Sequence, residues 1–220
     1  MNKDLQSFFH KYQTFLVIYL ALLLLATLIL LRLNHGDFII WWGTFRSSFW
    51  TAYFRFTNLL GEEYAFIAFG VFYLWKLPYR AIGVALTGIF VSLLTQLAKA
   101  YFAAPRPKIY LEEQLSQINL VDGWHAVSGY NSFPSGHTSA GFALAAFLCF
   151  YIPQSKILQG VLIVAAASVG VARVYSANHF LIDIVYGSGV GVIVGFLIAH
   201  YTEKMIPDAW KRFRWMRSGN

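Results

Sequence analysis

Residues 15–33 read FLVIYLALLLLATLILLRL, nineteen residues that carry no charge until Arg32. Crossing a hydrocarbon core of about 30 Å takes roughly 20 apolar residues in a helix. A secretory signal has a shorter apolar core and a small-residue cleavage site. This stretch is too long, and it runs into Leu31-Arg32-Leu33 with no such site. It reads as an uncleaved membrane anchor, and that reading sets the solvent in which the rest of the chain is interpreted.

Further apolar runs occur at residues 63–77, 81–102, 139–152, 158–174 and 180–201. Together with the first they predict an all-α integral membrane protein of six transmembrane helices, the second and fourth extending into their flanking turns. Composition agrees: 58% of the 220 residues are hydrophobic and 12% are charged, about half the charged share of a soluble domain. A single membrane-embedded domain over residues 1–220 is expected, with a basic cytoplasmic tail over about 203–220. Cys149, the sole cysteine, lies in an apolar run. It forms no intrachain disulfide and is expected to pack as an inert side chain.

Between the first two runs lies GDFIIWWGTFRSSFWTAYFRFTNLLGEE, residues 36–63. Phe38, Trp41, Phe45, Phe49, Tyr53 and Phe56 recur at helical spacing, with Arg46, Ser47, Thr51 and Arg55 on the other side. This pattern predicts an interfacial amphipathic helix after the first span, either an anchor or a wall that guides lipid. The net charge of +7 is divided into short clusters between apolar runs. That distribution sets membrane topology rather than attracting nucleic acid. Six spans put both termini on one side with ten basic residues, against seven on the other. The positive-inside rule then predicts cytoplasmic termini and an active site on the periplasmic or extracellular face.

Three separated segments converge on that outer face: KAYFAAPRPK from Lys99, FPSGH at 133–137, and ARVYSANHFLID at 172–183. Ser135 is a good N-cap, and Gly136 leaves the first N–H groups of its helix open to an anion. His179 and Asp183, four residues apart, share a helical face, so the carboxylate can fix the imidazole and free its other nitrogen. Lys99, Arg106 and Arg173 supply three positive charges. Three cations, a helix N-terminus and two histidines (His137 and His179) suit a multiply charged anion, most simply phosphate. The competing His-His-Asp metal site is disfavoured because those bases repel a cation and no ligand set is complete at helical spacing.

Lysine, six residues and Arg-Pro; then Pro-Ser-Gly-His; then Arg, five residues, His, three residues and Asp: this order resembles the three-part signature of the type 2 phosphatidic acid phosphatase family, to which glucose-6-phosphatase and the vanadium haloperoxidases are related. The resemblance spans Lys99 to Asp183 by motif. It implies that His179 attacks phosphorus to form a phosphohistidine and that Asp183 holds its other ring N–H. It implies that Lys99, Arg106, Ser135, Gly136 and Arg173 bind the phosphate oxygens. It further implies that His137 protonates the leaving oxygen and then activates water. No metal or other cofactor is implied.

The partners implied are a lipid phosphate and the bilayer; no nucleic acid enters, and no oligomer is specified. Phosphatidic acid, phosphatidylglycerophosphate, undecaprenyl pyrophosphate and lipid A phosphates are all substrates within such a family. A lipid phosphotransferase using the same phosphohistidine, or a non-catalytic lipid-binding or transport protein, stands as the alternative. Ala172 occupies a place where the family usually has serine, which removes a hydroxyl from beside Arg173. In the loop 103–133, Glu112, Glu113 and His125 are expected to be solvated. Glu62 and Glu63 either border the pocket or flank the second span.

Overall fold

The computed structural model describes residues 3–118, 124 and 126–207. The chain folds into helices α1 (Lys3–Lys11), α2 (Gln13–Arg32), α3 (Asp37–Gly43), α4 (Ser48–Asn58) and α5 (Glu63–Lys76). There follow α6 (Pro78–Phe102), α7 (Pro107–Tyr110), α8 (Gly136–Phe150), α9 (Lys156–Tyr175) and α10 (Leu181–Met205). His125 and the end of the expected basic tail, residues 208–220, lie outside the described residues.

The expected count of six spans is not met. Among the described residues four helices are long and apolar enough to cross a membrane: α2, α6 with the segment that follows it (Pro78–Gln114), α9 and α10. α5 and α8, with 14 and 15 residues, reach only about 21–23 Å at 1.5 Å per residue. Neither extends into its flanks, because local chemistry stops it. Pro78 opens α6 two residues after α5 ends, and a proline at the first helical position starts a new helix rather than prolonging the old one. Ser135 caps α8 at its start, and the turn at Tyr151 to Pro153 closes it. The fold is all-α and multi-pass, with two short apolar helices inside the bundle.

The single interfacial helix expected after the first span is also corrected. Ser47 accepts from Trp50 N as an N-cap, and the chain breaks there into α3 and α4. The two-sided pattern survives only in part: Arg46 and Thr51 turn toward the protein, whereas Ser47 and Arg55 are exposed. Thr51 Oγ1 lies 2.9 Å from the Tyr175 hydroxyl, and Arg46 Nη2 donates to the Tyr175 carbonyl at 2.7 Å. Phe49 and Phe56 point outward, 70% and 67% exposed. In lipid such an orientation pairs Thr51 and Arg46 Nη2 with Tyr175 and leaves the aromatic faces solvated by hydrocarbon, while Arg46 Nη1 and Trp42 Nε1 stay buried without a hydrogen-bond partner among the described residues.

α8 is the buried axis, packed against α6, α9 and α10. Its contact with α10 depends on Gly187, Gly191 and Gly195, one turn apart. A Cβ on Gly191 would run into the Ser139 carbonyl, and one on Gly195 into the Ala143 carbonyl. Small residues at this spacing let two helix backbones touch. The close approach fixes the start of α10 against the start of α8, where the chemically interesting residues gather.

Candidate active site

At the start of α8, Ser135 is extended and fully buried, and its Oγ accepts from Thr138 Oγ1 at 2.9 Å. It also caps Thr138 N at a long 3.5 Å. Ser135 N donates to the Asp183 carbonyl at 3.1 Å, which ties this helix start to α10. With Thr138 donating, the Ser135 hydroxyl hydrogen remains available for another acceptor. A Cβ at Gly136 would meet only Lys99 Nζ, at 3.5 Å, so the ammonium lies directly over the helix N-terminus.

Between α9 and α10 the chain turns through Ser176 to His179, with Ala177 in the left-handed region at φ 52°. His179 N and Asn178 N both donate to the Arg173 carbonyl. His179 is buried, and its Nδ1 lies 3.3 Å from Asp183 Oδ2. That oxygen also accepts from Ser132 Oγ at 2.6 Å and Phe180 N at 2.9 Å. A carboxylate accepts only, so Nδ1 carries the ring hydrogen and Nε2 keeps its lone pair. Burial foremost, with Arg173 and Arg106 reinforcing it and Asp183 opposing, pushes His179 down to about 4. The ring is therefore neutral at pH 7.

The guanidiniums are held by neutral acceptors. Arg106 Nε donates to Asn131 Oδ1 at 2.7 Å and its Nη1 to the Asn178 carbonyl at 3.2 Å. Arg173 Nη1 donates to Asn58 Oδ1 at 3.0 Å, while its buried Nε has no partner. Among the described residues no carboxylate oxygen lies within 4.0 Å of Lys99, Arg106 or Arg173. No close ion pair therefore neutralises them, although Asp183 lies near Lys99 and Arg106 and Glu62 near Arg173, and the excess of positive charge suits an anion. His137 Nε2 stands 3.6 Å from Glu62 Oε1, at the half-open side of the cluster. Burial first, then Arg173, His179, Lys99 and Arg106, pushes His137 downward. A bound phosphate dianion reverses the sign of the local field and favours the imidazolium.

All eight residues singled out from the sequence thus meet at one end of the bundle: Lys99, Arg106, Ser135, Gly136, His137, Arg173, His179 and Asp183. Sequence reading missed the groups that hold them, namely Asn58, Asn131, Ser132, Thr138 and Asn178. For four of them the sequence signal is proximity to the motifs: Asn131 and Ser132 directly precede Phe-Pro-Ser-Gly-His, Thr138 directly follows it and Asn178 directly precedes His179, whereas Asn58 has no such signal. Ala172 is fully buried with Phe54 and Tyr175, so its Cβ packs into an aromatic cluster. Among the described residues no group of three or more His, Cys, Asp or Glu side chains is placed to hold a metal ion. A cleft of about 430 Å³, walled by Phe102, Tyr110, Phe133, Phe180 and Tyr186, reaches Asp183.

Residues 76–207 match the family model described as the PAP2 superfamily, and that segment contains all eight residues. The chain belongs to the PAP2 superfamily. Among its PAP2-related relatives, lipid A 4'-phosphatase of Porphyromonas gingivalis is 30% identical over 68% of this chain and 62% of its own length. Phosphatidylglycerophosphatase B of Bacillus subtilis is 37% identical over 38% of this chain and 42% of its own. The chain therefore spans less than two thirds of the length of these two relatives. The PAP2 fold is seen again in the crystal structure of Aquifex aeolicus LpxE, with TM-score 0.66 and 23% identity over 77% of this chain and 96% of that one. The Bacillus subtilis PAP2-type phosphatidylglycerolphosphate phosphatase superimposes with TM-score 0.62 and 21% identity, over 93% of this chain and 100% of that one.

Proposed function

We propose that the chain is a metal-independent membrane phosphatase that hydrolyses a phosphomonoester or pyrophosphate of a lipid. The observation that carries this reading is the trio of buried or half-buried cations with no carboxylate partner, facing a neutral imidazole whose free nitrogen is set by Asp183. Lys99, Arg106, Arg173, the Ser135 hydroxyl and the Gly136 N–H take the phosphate oxygens and stabilise their charge during transfer. His179 Nε2 attacks phosphorus, the P–O bond to the lipid breaks, and a phosphohistidine forms. His137 gives its proton to the leaving oxygen and later takes one from the water that hydrolyses the phosphoenzyme. The aromatic cleft that reaches Asp183 supports a substrate with an apolar portion beside its phosphate.

Charge supports one membrane orientation. Lys11, Lys76, Arg80, Lys156 and Lys204 mark the bundle end remote from the site, while at the site end the basic residues, among them Arg32, Lys99, Arg106 and Arg173, are offset by Asp37, Glu62, Glu63, Glu112 and Glu113. The positive-inside rule supports a cytoplasmic remote end and a site that faces outward. The deciding experiment is phosphate release by the purified protein from a panel of defined lipid phosphates, with excess chelator and with vanadate. Turnover that survives chelation and is blocked by vanadate is expected. No release from any lipid, or loss on chelation that zinc restores, overturns the reading. Transfer to an added lipid acceptor in preference to water identifies a phosphotransferase instead.

A further inference from the structure

The turn between α4 and α5 is built to reach α8. A Cβ on Gly61 would stand 2.6 Å from both the His137 carbonyl oxygen and Val169 Cγ1. Only glycine lets the backbone dock there. Docking delivers two side chains. Glu62 Oε1 accepts from Asn58 Nδ2 at 2.6 Å and stands 3.6 Å from His137 Nε2. Asn58, buried, turns its amide oxygen to Arg173 Nη1 at 3.0 Å. Both ends of that amide are committed, so its orientation is fixed by its neighbours. Two hydrogen bonds join Glu62 through Asn58 to Arg173, and His137 stands beside the Glu62 end at 3.6 Å.

His137 is otherwise surrounded by positive charge: Lys99 from α6, Arg106 from the following loop, Arg173 from α9, and His179 before α10. Glu62 brings the opposing charge, and is itself faced by Glu63, Arg173 and Asn58. An imidazole among cations gives up its proton readily but is poor at holding one, whereas the acid of a phosphoryl transfer must hold it until the leaving oxygen develops charge. A carboxylate within about 4 Å favours the charged ring.

We propose that Glu62 is a positioning residue that holds His137 in its proton-donating form, with Asn58 locking the carboxylate to the phosphate-binding Arg173. The assignment rests on the reading of His137 as the acid. As the P–O bond breaks, the leaving oxygen takes the proton from the His137 imidazolium, leaving neutral imidazole. Attack of water on the phosphohistidine returns a proton to it. Glu62 remains a carboxylate throughout.

The test is rapid-quench measurement of phosphoenzyme formation in wild type, Glu62→Gln, Glu62→Asp and His137→Ala. A lipid phosphate, whose alcohol needs a proton to leave, is compared with p-nitrophenyl phosphate, whose phenolate does not. In Glu62→Gln, formation from the lipid phosphate falls about tenfold or more and formation from p-nitrophenyl phosphate falls far less. The alkaline limb of kcat/KM moves down by about one to three pH units, and Glu62→Asp recovers part of both effects. A loss in Glu62→Gln that is equal for both substrates, with an unmoved alkaline limb, overturns the role of Glu62. If His137→Ala also fails to discriminate between the substrates, the reading of His137 as the acid falls with it. Absence of any phosphoenzyme in wild type removes the proposed function itself.

Discussion

Asp183 offers a sharp separation of folding from chemistry. One of its oxygens accepts from three buried donors: His179 Nδ1, Ser132 Oγ and Phe180 N. Replacing Asp183 with alanine orphans all three. Each unsatisfied buried donor costs about 1–3 kcal/mol, so the sum is about 3–9 kcal/mol, a large part of the 5–15 kcal/mol that stabilises an ordinary domain. Asparagine is different. Its amide oxygen fits the place of Oδ2 and keeps the three donors, while the reversed amide would set its own N–H groups against them. The ring hydrogen of His179 then stays on Nδ1, and only the negative charge is lost. Charge-assisted hydrogen bonds contribute about 1.5–3 kcal/mol, and 1.36 kcal/mol is tenfold in rate. Asp183→Asn is therefore expected to fold and to lose about 10- to 100-fold in turnover. Asp183→Ala is expected to unfold at least about 6 °C lower than Asp183→Asn, at roughly 2–4 °C per kcal/mol for a chain of this size. Tryptophan fluorescence on heating in nanodiscs, beside phosphate release, measures both. Equal unfolding temperatures for the two variants, or a loss for asparagine far beyond 100-fold, refutes the assignment of all three donors to one oxygen.

Two further outcomes are expected. His179 titrates near 4 in the folded protein against an ordinary 6.5, so the unfolded chain binds the extra proton between those values and stability falls as pH drops through that window. The total is about 3 kcal/mol at 1.36 kcal/mol per unit. The unfolding temperature of the ligand-free protein should fall from pH 6.5 to 4, and less steeply in His179→Ala; an equal slope rules out His179 as a source. Ala172→Ser places a hydroxyl among Phe54 and Tyr175 rather than beside phosphate. It should leave kcat/KM unchanged and lower the unfolding temperature slightly, and a several-fold gain in kcat/KM shows that the hydroxyl reaches the substrate.

The chemistry was far more legible in the chain than the architecture around it. Charged and imidazole side chains inside apolar surroundings are costly, so Lys99, Arg173, His179 and Asp183 stand out by type, and their spacing names their neighbours. Ser132 and Asn58 are as tightly bound into the site, yet serine and asparagine are ordinary loop and cap residues. Which partner they serve is decided by tertiary contact alone. The span count failed for a related reason: apolar character runs through α5 and α8, but their ends are set by Pro78 and Ser135, and hydropathy is blind to caps. The aromatic rhythm from Phe38 to Phe56 predicts one amphipathic helix, whereas the structure breaks it at Ser47 and turns Arg46 and Thr51 toward Tyr175. What rhythm cannot say is that these two polar residues point to Tyr175. Gly187, Gly191 and Gly195 recur every four residues, yet that spacing does not name α8 as the partner; the Ser139 and Ala143 carbonyls that meet them do.

Gln159 gives the bundle a foot. Buried at 1% exposure, its amide nitrogen donates to the carbonyls of Lys11 and Pro153, and its oxygen accepts from Phe15 N. One side chain thereby nails the base of α2 to the α8–α9 turn, while the top of α2 borders an apolar hollow of about 370 Å³ shared with α3, α9 and α10. From Phe15 to Arg32 the lever is about 26 Å long at 1.5 Å per residue. A tilt of only about 5° at such a foot swings the tip by roughly 2 Å on that lever, half the width of a hydrocarbon chain. The wall on this side of the bundle is a mast stepped at the bottom, and any tilt about that foot would be felt most at the height where the histidines lie.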